Sequence, residues 1–308
     1  MAVIGIDLGT TNSLASVWRN GKIELIPNSF GEYLTPSVVS FGEDGEIFVG
    51  KVAKERLITA PTVSFAEFKR NMGTSYQYFG NGKYYTAEDL SSFVLRRLRE
   101  DAEAYLGEPV TEAVISVPAY FNDDKRCATK NAGKLAGLHV ERLINEPSAV
   151  ALKHHMGVED AETFIIFDFG GGTLDVSLVD AFDNMVEIQA VSGDNYLGGK
   201  DFNELIAEEF YRENHLDKTT VTGEEQGIIL KEAEALKREL SSQDEVERKV
   251  YVRNQEYRMR MTNQHLIHIG KELFKRMSMP IRRVINDSGM STEEIDKLKL
   301  LYCYIIFA

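Results

Sequence analysis

The chain has 308 residues, a length typical of about two domains or of one body with two lobes. Hydrophobic residues make up 43% of it, as in proteins with a packed core, whereas a formal charge of −13 argues against a general nucleic-acid-binding protein. The longest apolar run, residues 300–308, is far shorter than the roughly 20 residues of a membrane helix, so we expect no membrane partner.

The first half of the chain alternates segments with strand and helix patterns. Apolar or alternating runs predict strands at 3–7, 13–18, 23–26 and 113–117. Asn20-Gly21 is typical of a hairpin turn between the second and third of these strands. Thr86–Asp89 has the pattern of a capping box and opens a helix that Gly107 ends, and Asn122 opens a second helix.

The second half restarts with strands around Asp168. Thr222–Glu225 has the pattern of another capping box and opens a helix, and the loose alternation over 247–261 predicts a hairpin. A long helix is predicted over about 264–287, and Pro280 must bend or interrupt it. The alternation of strands and helices along the whole chain predicts an α/β fold with mixed sheets.

Two segments about 160 positions apart, Ile4–Ser13 and Phe164–Val176, repeat one pattern. Each has a buried-strand run, then an Asp, an apolar residue, a glycine turn and a Thr. Glycine lets the backbone approach a ligand closely, and successive N–H groups in such a turn bind anions. Because Asp7 and Asp168 would repel a phosphate, a divalent cation must lie between them and it. The pair therefore predicts two phosphate-binding hairpins, related by duplication, that face one Mg-nucleotide, while P-loop and dinucleotide signatures are missing.

Five motifs resemble the DnaK-type chaperones, the seventy-kilodalton heat-shock family. They are Ile4–Ser13, Val117–Asp123, Ile144–Pro147, Phe167–Val176 and Leu197–Phe202. The resemblance spans residues 3 to about 301. Two further segments are most similar to the specialised HscC branch of the family, namely Pro27–Ser37 and Phe68–Gly73.

The resemblance implies an actin-like ATPase fold of two lobes built from duplicated ribonuclease-H-like units with mixed sheets. Lobe I is expected at residues 1–156 and lobe II at 157–308, with Mg-ATP or Mg-ADP in the cleft between them. Asp7 and Asp168 would face the metal largely through water, because Mg²⁺ keeps most of its bound waters. Lys69 would reach the γ-phosphate, Thr173 would meet it, and Glu146 would orient metal and water. Hydrolysis of this kind depends mainly on positioned charge and aligned water.

The same resemblance implies a set of nucleotide-binding residues. They are Gly9, Thr10, Thr11 and Asn12 of the first phosphate loop, Gly170, Gly171 and Gly172 of the second, the cleft carboxylate Asp175, and Gly198 and Gly199. Glu234, Lys237, Arg238 and Ser241 fall at i, i+3, i+4 and i+7, which predicts one shared helix face. By itself that face is typical of a solvated surface with helix ion pairs. In the family, the quartet lies on the adenosine.

The end of the sequence departs from the family. Residues 296–301 begin the strand that in the family leads into Gly-Gly and the second half of the adenosine site, but the chain continues as 302–308. We therefore expect a truncated or frameshifted terminus that lacks this loop, the closing helices and the peptide-binding domain, with weak or impaired hydrolysis and no client-peptide binding. The apolar tail also predicts aggregation unless it pairs as a strand.

The leading hypothesis is the ATP-hydrolysing nucleotide-binding domain of an HscC-like chaperone in protein folding and the stress response. Its expected partners are a J-domain co-chaperone and an exchange factor. Cys127 and Cys303 fit neither a metal site nor a disulfide framework, which predicts a reducing, cytoplasmic location. Two alternatives stay open: a non-catalytic fragment that binds nucleotide or co-chaperone, and an actin-like filament protein or sugar kinase of the same superfamily.

Overall fold

The computed structural model describes residues 2–155, 161–182 and 185–301. The chain divides into two compact units, one of Met1–Asp160 with Ala181–Glu187 and the other of Ala161–Asp180 with Ile188–Ala308. Residues 302–308, to which the expectations of truncation and aggregation refer, lie outside the described residues. Within the described ranges, no helix is long and apolar enough to cross a membrane.

The first unit is built on one large sheet and two small ones. Its strands are β1 (Ala2–Asp7), β2 (Asn12–Arg19), β3 (Lys22–Ile26), β4 (Thr35–Pro36), β5 (Val38–Phe41), β6 (Ile47–Val49), β7 (Ser64–Ala66), β8 (Tyr78–Gly80), β9 (Lys83–Tyr85), β10 (Val110–Val117) and β11 (His139–Asn145). Its helices are α1 (Lys51–Thr59), α2 (Ala87–Leu106), α3 (Asp123–Leu135) and α4 (Glu146–His155).

The large sheet is mixed. Its strands follow in the order β11, β10, β1, β2 and β3, and β4 pairs with β2. β1 runs parallel to β10 and antiparallel to β2, which places Asp7 opposite Ser116 at the end of the strand. Ile4 and Ile6 of β1 are buried in the same apolar core as Leu90 of α2. The register therefore leaves the carboxyl ends of β1 and β10 side by side.

Local sequence signals explain most boundaries in this unit. Thr86 and Asp89 form the expected capping box at the start of α2, with a 3.2 Å bond from the Asp89 N–H to the Thr86 hydroxyl. The helix ends at Gly107, which has φ of 72°. Asn20 and Gly21 join β2 to β3 with φ of 53° and 77°, as a two-residue hairpin turn requires. These predictions are confirmed.

The remaining elements begin with the second duplicated motif. The strands are β12 (Glu162–Phe169), β13 (Leu174–Phe182), β14 (Met185–Asp194), β15 (Glu245–Val252), β16 (Gln255–Thr262) and β17 (Lys297–Leu301). The helices are α5 (Gly199–Glu213), α6 (Gly223–Glu239), α7 (Asn263–Ile269) and α8 (Lys271–Ser288). One sheet has the order β14, β13, β12, β17, with β17 parallel to β12, and the predicted hairpin is formed by β15 and β16. The α/β class with mixed sheets is thus confirmed.

Pro280, which was predicted to bend or interrupt the long helix, does not interrupt it. The helical region breaks at Gly270, between α7 and α8, and α8 continues through Pro280. A Cβ at Gly270 would lie 2.9 Å from the Leu266 carbonyl oxygen and 3.2 Å from the Phe202 ring, so this contact requires glycine. Pro280 removes one helical hydrogen bond, but it lies on the buried face of α8, where packing offsets the loss.

Candidate functional site

The first glycine turn follows the carboxyl end of β1. Asp7 is half-buried there and accepts a hydrogen bond of 2.7 Å from the Ser116 hydroxyl on β10. At Gly9, a Cβ would lie 2.0 Å from the carbonyl oxygen of Asn12, a distance that no side chain can occupy. The turn from Gly9 to Asn12 therefore curls back on itself, and its shape depends on glycine at its first position.

Lys69 and Glu146 form an ion pair in the same unit as Asp7. Lys69 lies in a short 3-10 turn, Phe68–Asn71, is only 6% exposed, and donates to Glu146 Oε1 over 3.0 Å. Glu146 is the first residue of α4, directly after β11. Burial raises the pKa of the Glu146 carboxyl, the positive charge of Lys69 offsets part of that rise, and the negative charge of Asp7 adds to it.

This arrangement brings together three of the predicted catalytic residues: Asp7, Lys69 and Glu146. The two carboxylates and the one ammonium group give this half-buried site an excess of negative charge. Oxygen donors with such an excess suit a hydrated divalent cation such as Mg²⁺. The donor set of this half of the site therefore fits the expected metal, which Asp7 would hold largely through water.

The second glycine turn joins β12 to β13. The Gly170 N–H donates to the Thr173 carbonyl oxygen over 2.9 Å, which closes the turn directly behind Asp168. Asp175 follows on β13. The strand–turn–strand order matches that of the first turn, so the duplication seen in the sequence is also a duplication of local structure.

The start of α5 braces this second turn. The Gly199 and Lys200 N–H groups donate to the carbonyl oxygens of Gly170 and Gly171 over 3.0 and 2.8 Å. A Cβ on Gly198 would lie 2.3 Å from the nitrogen of Gly172. The backbone at the start of α5 thus contacts the backbone of the turn directly and holds its carbonyl groups in place.

The four residues predicted on one face of α6 lie in different surroundings. Lys237 is 5% exposed, and its Nζ donates to the Gly199 carbonyl oxygen over 2.6 Å. Glu234 is half-buried and Arg238 is exposed. The helix ends at Glu239, so Ser241 lies beyond the helix on which the spacing had placed it. Lys237 is the member that α6 brings to the second turn.

Sequence reasoning missed three serines that hold the first turn and its neighbour. Ser116 orients Asp7, while Ser13 and Ser37 are buried and hydrogen-bonded to each other and to Gly9. Ser13 and Ser37 lie at the ends of the family-like segments Ile4–Ser13 and Pro27–Ser37, but nothing in those segments distinguishes a serine that bonds to the turn.

A separate cluster lies on α5 and α7. Glu209, Glu213 and His265 each contribute one potential metal-ligand atom, and these three atoms lie within 4.8 Å of one another. Arg212 Nε already donates to Glu209 over 2.8 Å, and the His265 ring bonds to the same carboxylate. The cluster is therefore an ion-pair network around a buried carboxylate.

The comparison with protein families agrees with the duplicated turns. The family model described as Hsp70 protein matches residues 3–80 and 78–301, which include both glycine turns, Lys69, Glu146 and the whole of α6. Hsp70 ATPase domains in general use ATP or ADP with Mg²⁺ and act with co-chaperones. Because the match extends over most of the sequence, the chain belongs to the Hsp70 family and carries its chaperone nucleotide-binding domain.

Proposed function

We propose that this chain binds Mg-ATP with both glycine turns and hydrolyses it, ATP + H₂O → ADP + phosphate, as the nucleotide-binding domain of an HscC-like chaperone. The observation that carries the proposal is the buried Lys69–Glu146 pair, 3.0 Å apart, within electrostatic reach of Asp7. A buried lysine paired with one carboxylate and close to a second is an arrangement of charges typical of functional sites. Family membership supports ATP or ADP with Mg²⁺ as the ligand of this site.

Each residue has a role that follows from its chemistry. Lys69 places a fixed positive charge against the terminal phosphate, and Glu146 accepts a hydrogen bond from the attacking water. Asp7 and Asp168 hold the hydrated metal, which supplies charge neutralisation when bound. Positioned charge of this kind contributes most of the rate in phosphoryl transfer.

The two turns supply the phosphate contacts. The contacts from the first turn come from Thr10, Thr11 and Asn12, and those from the second turn come from Gly170–Gly172 and Thr173. Successive N–H groups bind the oxygens, and the absence of a Cβ at the three glycines of the second turn keeps the approach open. Asp175 lies just beyond that turn, where its carboxylate would meet the water shell of the metal.

The adenosine half of the proposal rests on α6. Lys237 donates a hydrogen bond to the carbonyl oxygen of Gly199, which follows Gly198 in the motif Leu197–Phe202. Glu234 and Lys237 would contact the ribose, and Arg238 and Ser241 the base. The Arg238 side chain is exposed and therefore accessible to a ligand, which supports this assignment.

We also propose the branch of the family to which the chain belongs, its partners and its location in the cell. The segments Pro27–Ser37 and Phe68–Gly73 support the HscC branch. Family membership supports a J-domain co-chaperone and an exchange factor as partners. The low cysteine content, two in 308 residues, supports a reducing cytoplasmic location.

Two measurements test the proposal. Calorimetry with Mg-ADP should show saturable binding, and single-turnover assays with Mg-ATP should show phosphate release that Lys69→Ala abolishes. Binding without turnover in the unaltered protein would instead support a non-catalytic binding module. Nucleotide-dependent light scattering, or turnover stimulated by a sugar, would favour a filament protein or a sugar kinase.

A further inference from the structure

Gly9 is held at both its N–H and its carbonyl group by two buried hydroxyls. The Gly9 N–H donates to Ser13 Oγ over 3.2 Å, Ser13 Oγ lies 2.9 Å from Ser37 Oγ, and Ser37 Oγ donates to the Gly9 carbonyl oxygen over 2.7 Å. Ser13 is 1% exposed and Ser37 is 2% exposed. Water is thus excluded from the chain of bonds.

The proton of each hydroxyl is fixed by these contacts. A serine hydroxyl has one proton to donate. Because Ser37 gives its proton to the Gly9 carbonyl, Ser13 must donate to Ser37, and its lone pair accepts from the Gly9 N–H. The result is a closed, one-directional ring of three hydrogen bonds that starts and ends on Gly9. Such rings polarise their members and strengthen one another in a buried setting.

The backbone of the same segment holds the far side of the turn. The Ser37 N–H donates to the Thr11 carbonyl oxygen over 2.8 Å. Ser13 of β2 pairs with Thr35 of β4, and Asn12 pairs with Pro36. Ser37 therefore bonds to the residues on either side of Thr10, once through its hydroxyl and once through its backbone.

We infer that Ser37 is a positioning residue for the first phosphate loop. Its ring with Ser13 fixes the two peptide planes that flank Gly9, and its backbone N–H fixes the plane of the Thr11–Asn12 peptide. The inference rests on the proposed nucleotide site. Ser37 acts through Gly9 and Thr11, whose orientation sets the direction of the N–H groups of the turn. The ring forms when the protein folds, before any ligand binds. The conformational entropy lost on ordering the loop therefore reduces the stability of the fold and does not reduce the affinity for nucleotide.

A second pair of buried serines in the same unit provides a matched control for the ring. Ser64 Oγ donates to Ser40 Oγ over 2.8 Å, also between buried serines 24 positions apart, but neither residue touches the glycine turn. Ser64→Ala removes a comparable buried hydroxyl and leaves the loop alone. Ser37→Thr keeps the hydroxyl and serves as the conservative variant.

The experiment compares Mg-ADP and adenosine affinities by calorimetry for the unaltered protein, Ser37→Ala, Ser37→Thr and Ser64→Ala. We expect Ser37→Ala to weaken Mg-ADP binding about tenfold, as loss of a buried hydrogen bond implies, with adenosine affinity unchanged. Ser37→Thr should restore Mg-ADP binding, and Ser64→Ala should leave both affinities unchanged. If Ser37→Ala does not fold, Ser37→Cys, with a similar volume and a weak donor, takes its place.

A ligand-free measurement completes the test. The Gly9 amide should exchange with deuterium faster in Ser37→Ala than in Ser64→Ala, because its acceptor Ser13 is no longer held. Equal exchange, or equal losses of Mg-ADP and adenosine affinity, would overturn the positioning role. Failure of the unaltered protein to bind Mg-ADP would instead overturn the proposed function and leave the exchange result to decide on the ring.

Discussion

Lys69 Nζ lies 3.0 Å from Glu146 Oε1, so the ion pair joins residues 77 positions apart in the chain. The ammonium group is also 5.6 Å from the centre of the Phe121 ring, which gives it a partly apolar wall. The Lys69 ammonium group contacts the Glu146 carboxylate on one side and the Phe121 ring, which attracts cations, on the other. Its position is therefore set before any ligand arrives.

Replacing Lys69 with alanine should separate chemistry from binding. We expect the single-turnover rate of ATP hydrolysis to fall about 10²–10³-fold, because one well-placed charge near the transferred phosphate is worth that much. Mg-ADP affinity, measured by calorimetry, should change far less. Lys51→Ala is the matched control, since Lys51 pairs with Glu32 over 2.6 Å with both side chains about half exposed. An equal loss of rate in both variants would contradict the assigned role.

The parts of the fold that sequence patterns predicted are those with local causes. The capping boxes at Thr86 and Thr222 and the turn at Asn20-Gly21 depend on residues within a few positions of one another. The helix break lies instead at Gly270, where an added Cβ would meet the Leu266 carbonyl oxygen, the Phe274 ring and, from far away in the chain, the Phe202 ring. A pattern read along one segment carries no information about such a contact, so Pro280 looked like the better helix breaker.

The residues of the candidate site also divide into those that the sequence pointed to and those that it did not. Asp7 and Asp168 were visible because the glycine turns repeat, and Lys69 and Glu146 because their surroundings resemble a family. The ring of Ser13 and Ser37 was invisible, since it joins β2 to the segment after β4 through two ordinary serines. Ser241 was misplaced because a spacing of i+7 assumes a helix longer than α6.

Gly198→Ala should disrupt the second phosphate turn. A Cβ at this position would lie 2.3 Å from the nitrogen and 2.4 Å from the Cα of Gly172, so the turn must shift. We expect a free-energy loss of about 1–3 kcal/mol in urea unfolding and a clear loss of Mg-ADP affinity. Gly223→Ala, where nothing lies within 4 Å of the added carbon, should leave both unchanged. Unaltered Mg-ADP binding in Gly198→Ala would show that the nucleotide does not use this turn.

Lys237→Met should lower both the stability of the protein and its affinity for nucleotide. The methionine keeps the apolar stem that α6 buries, while the charge-assisted bond to the Gly199 carbonyl oxygen is lost. Because that bond lies within the protein, its loss should cost about 1.5–3 kcal/mol in urea unfolding. The bond also holds Gly199 behind the second turn, so we expect Mg-ADP affinity to fall as well, by about tenfold in calorimetry. Lys231→Met, an exposed lysine on the same helix, is the control. A similar affinity in both variants would rule out a role for Lys237 in the site.

The Glu209 network predicts how stability depends on pH. The Arg212 guanidinium, and then the His265 ring, hold the pKa of the Glu209 carboxyl below its usual range, with the exposed Glu213 beside them. A lowered pKa stabilises the folded state above the ordinary carboxyl value of about 4.3, and that contribution disappears as pH falls through the lowered value. Glu209→Gln should therefore be less stable than the unaltered protein in urea unfolding at pH 7, and the difference should shrink towards pH 3.5. A gap that stays constant with pH for Glu209→Gln would assign its effect to packing rather than to charge.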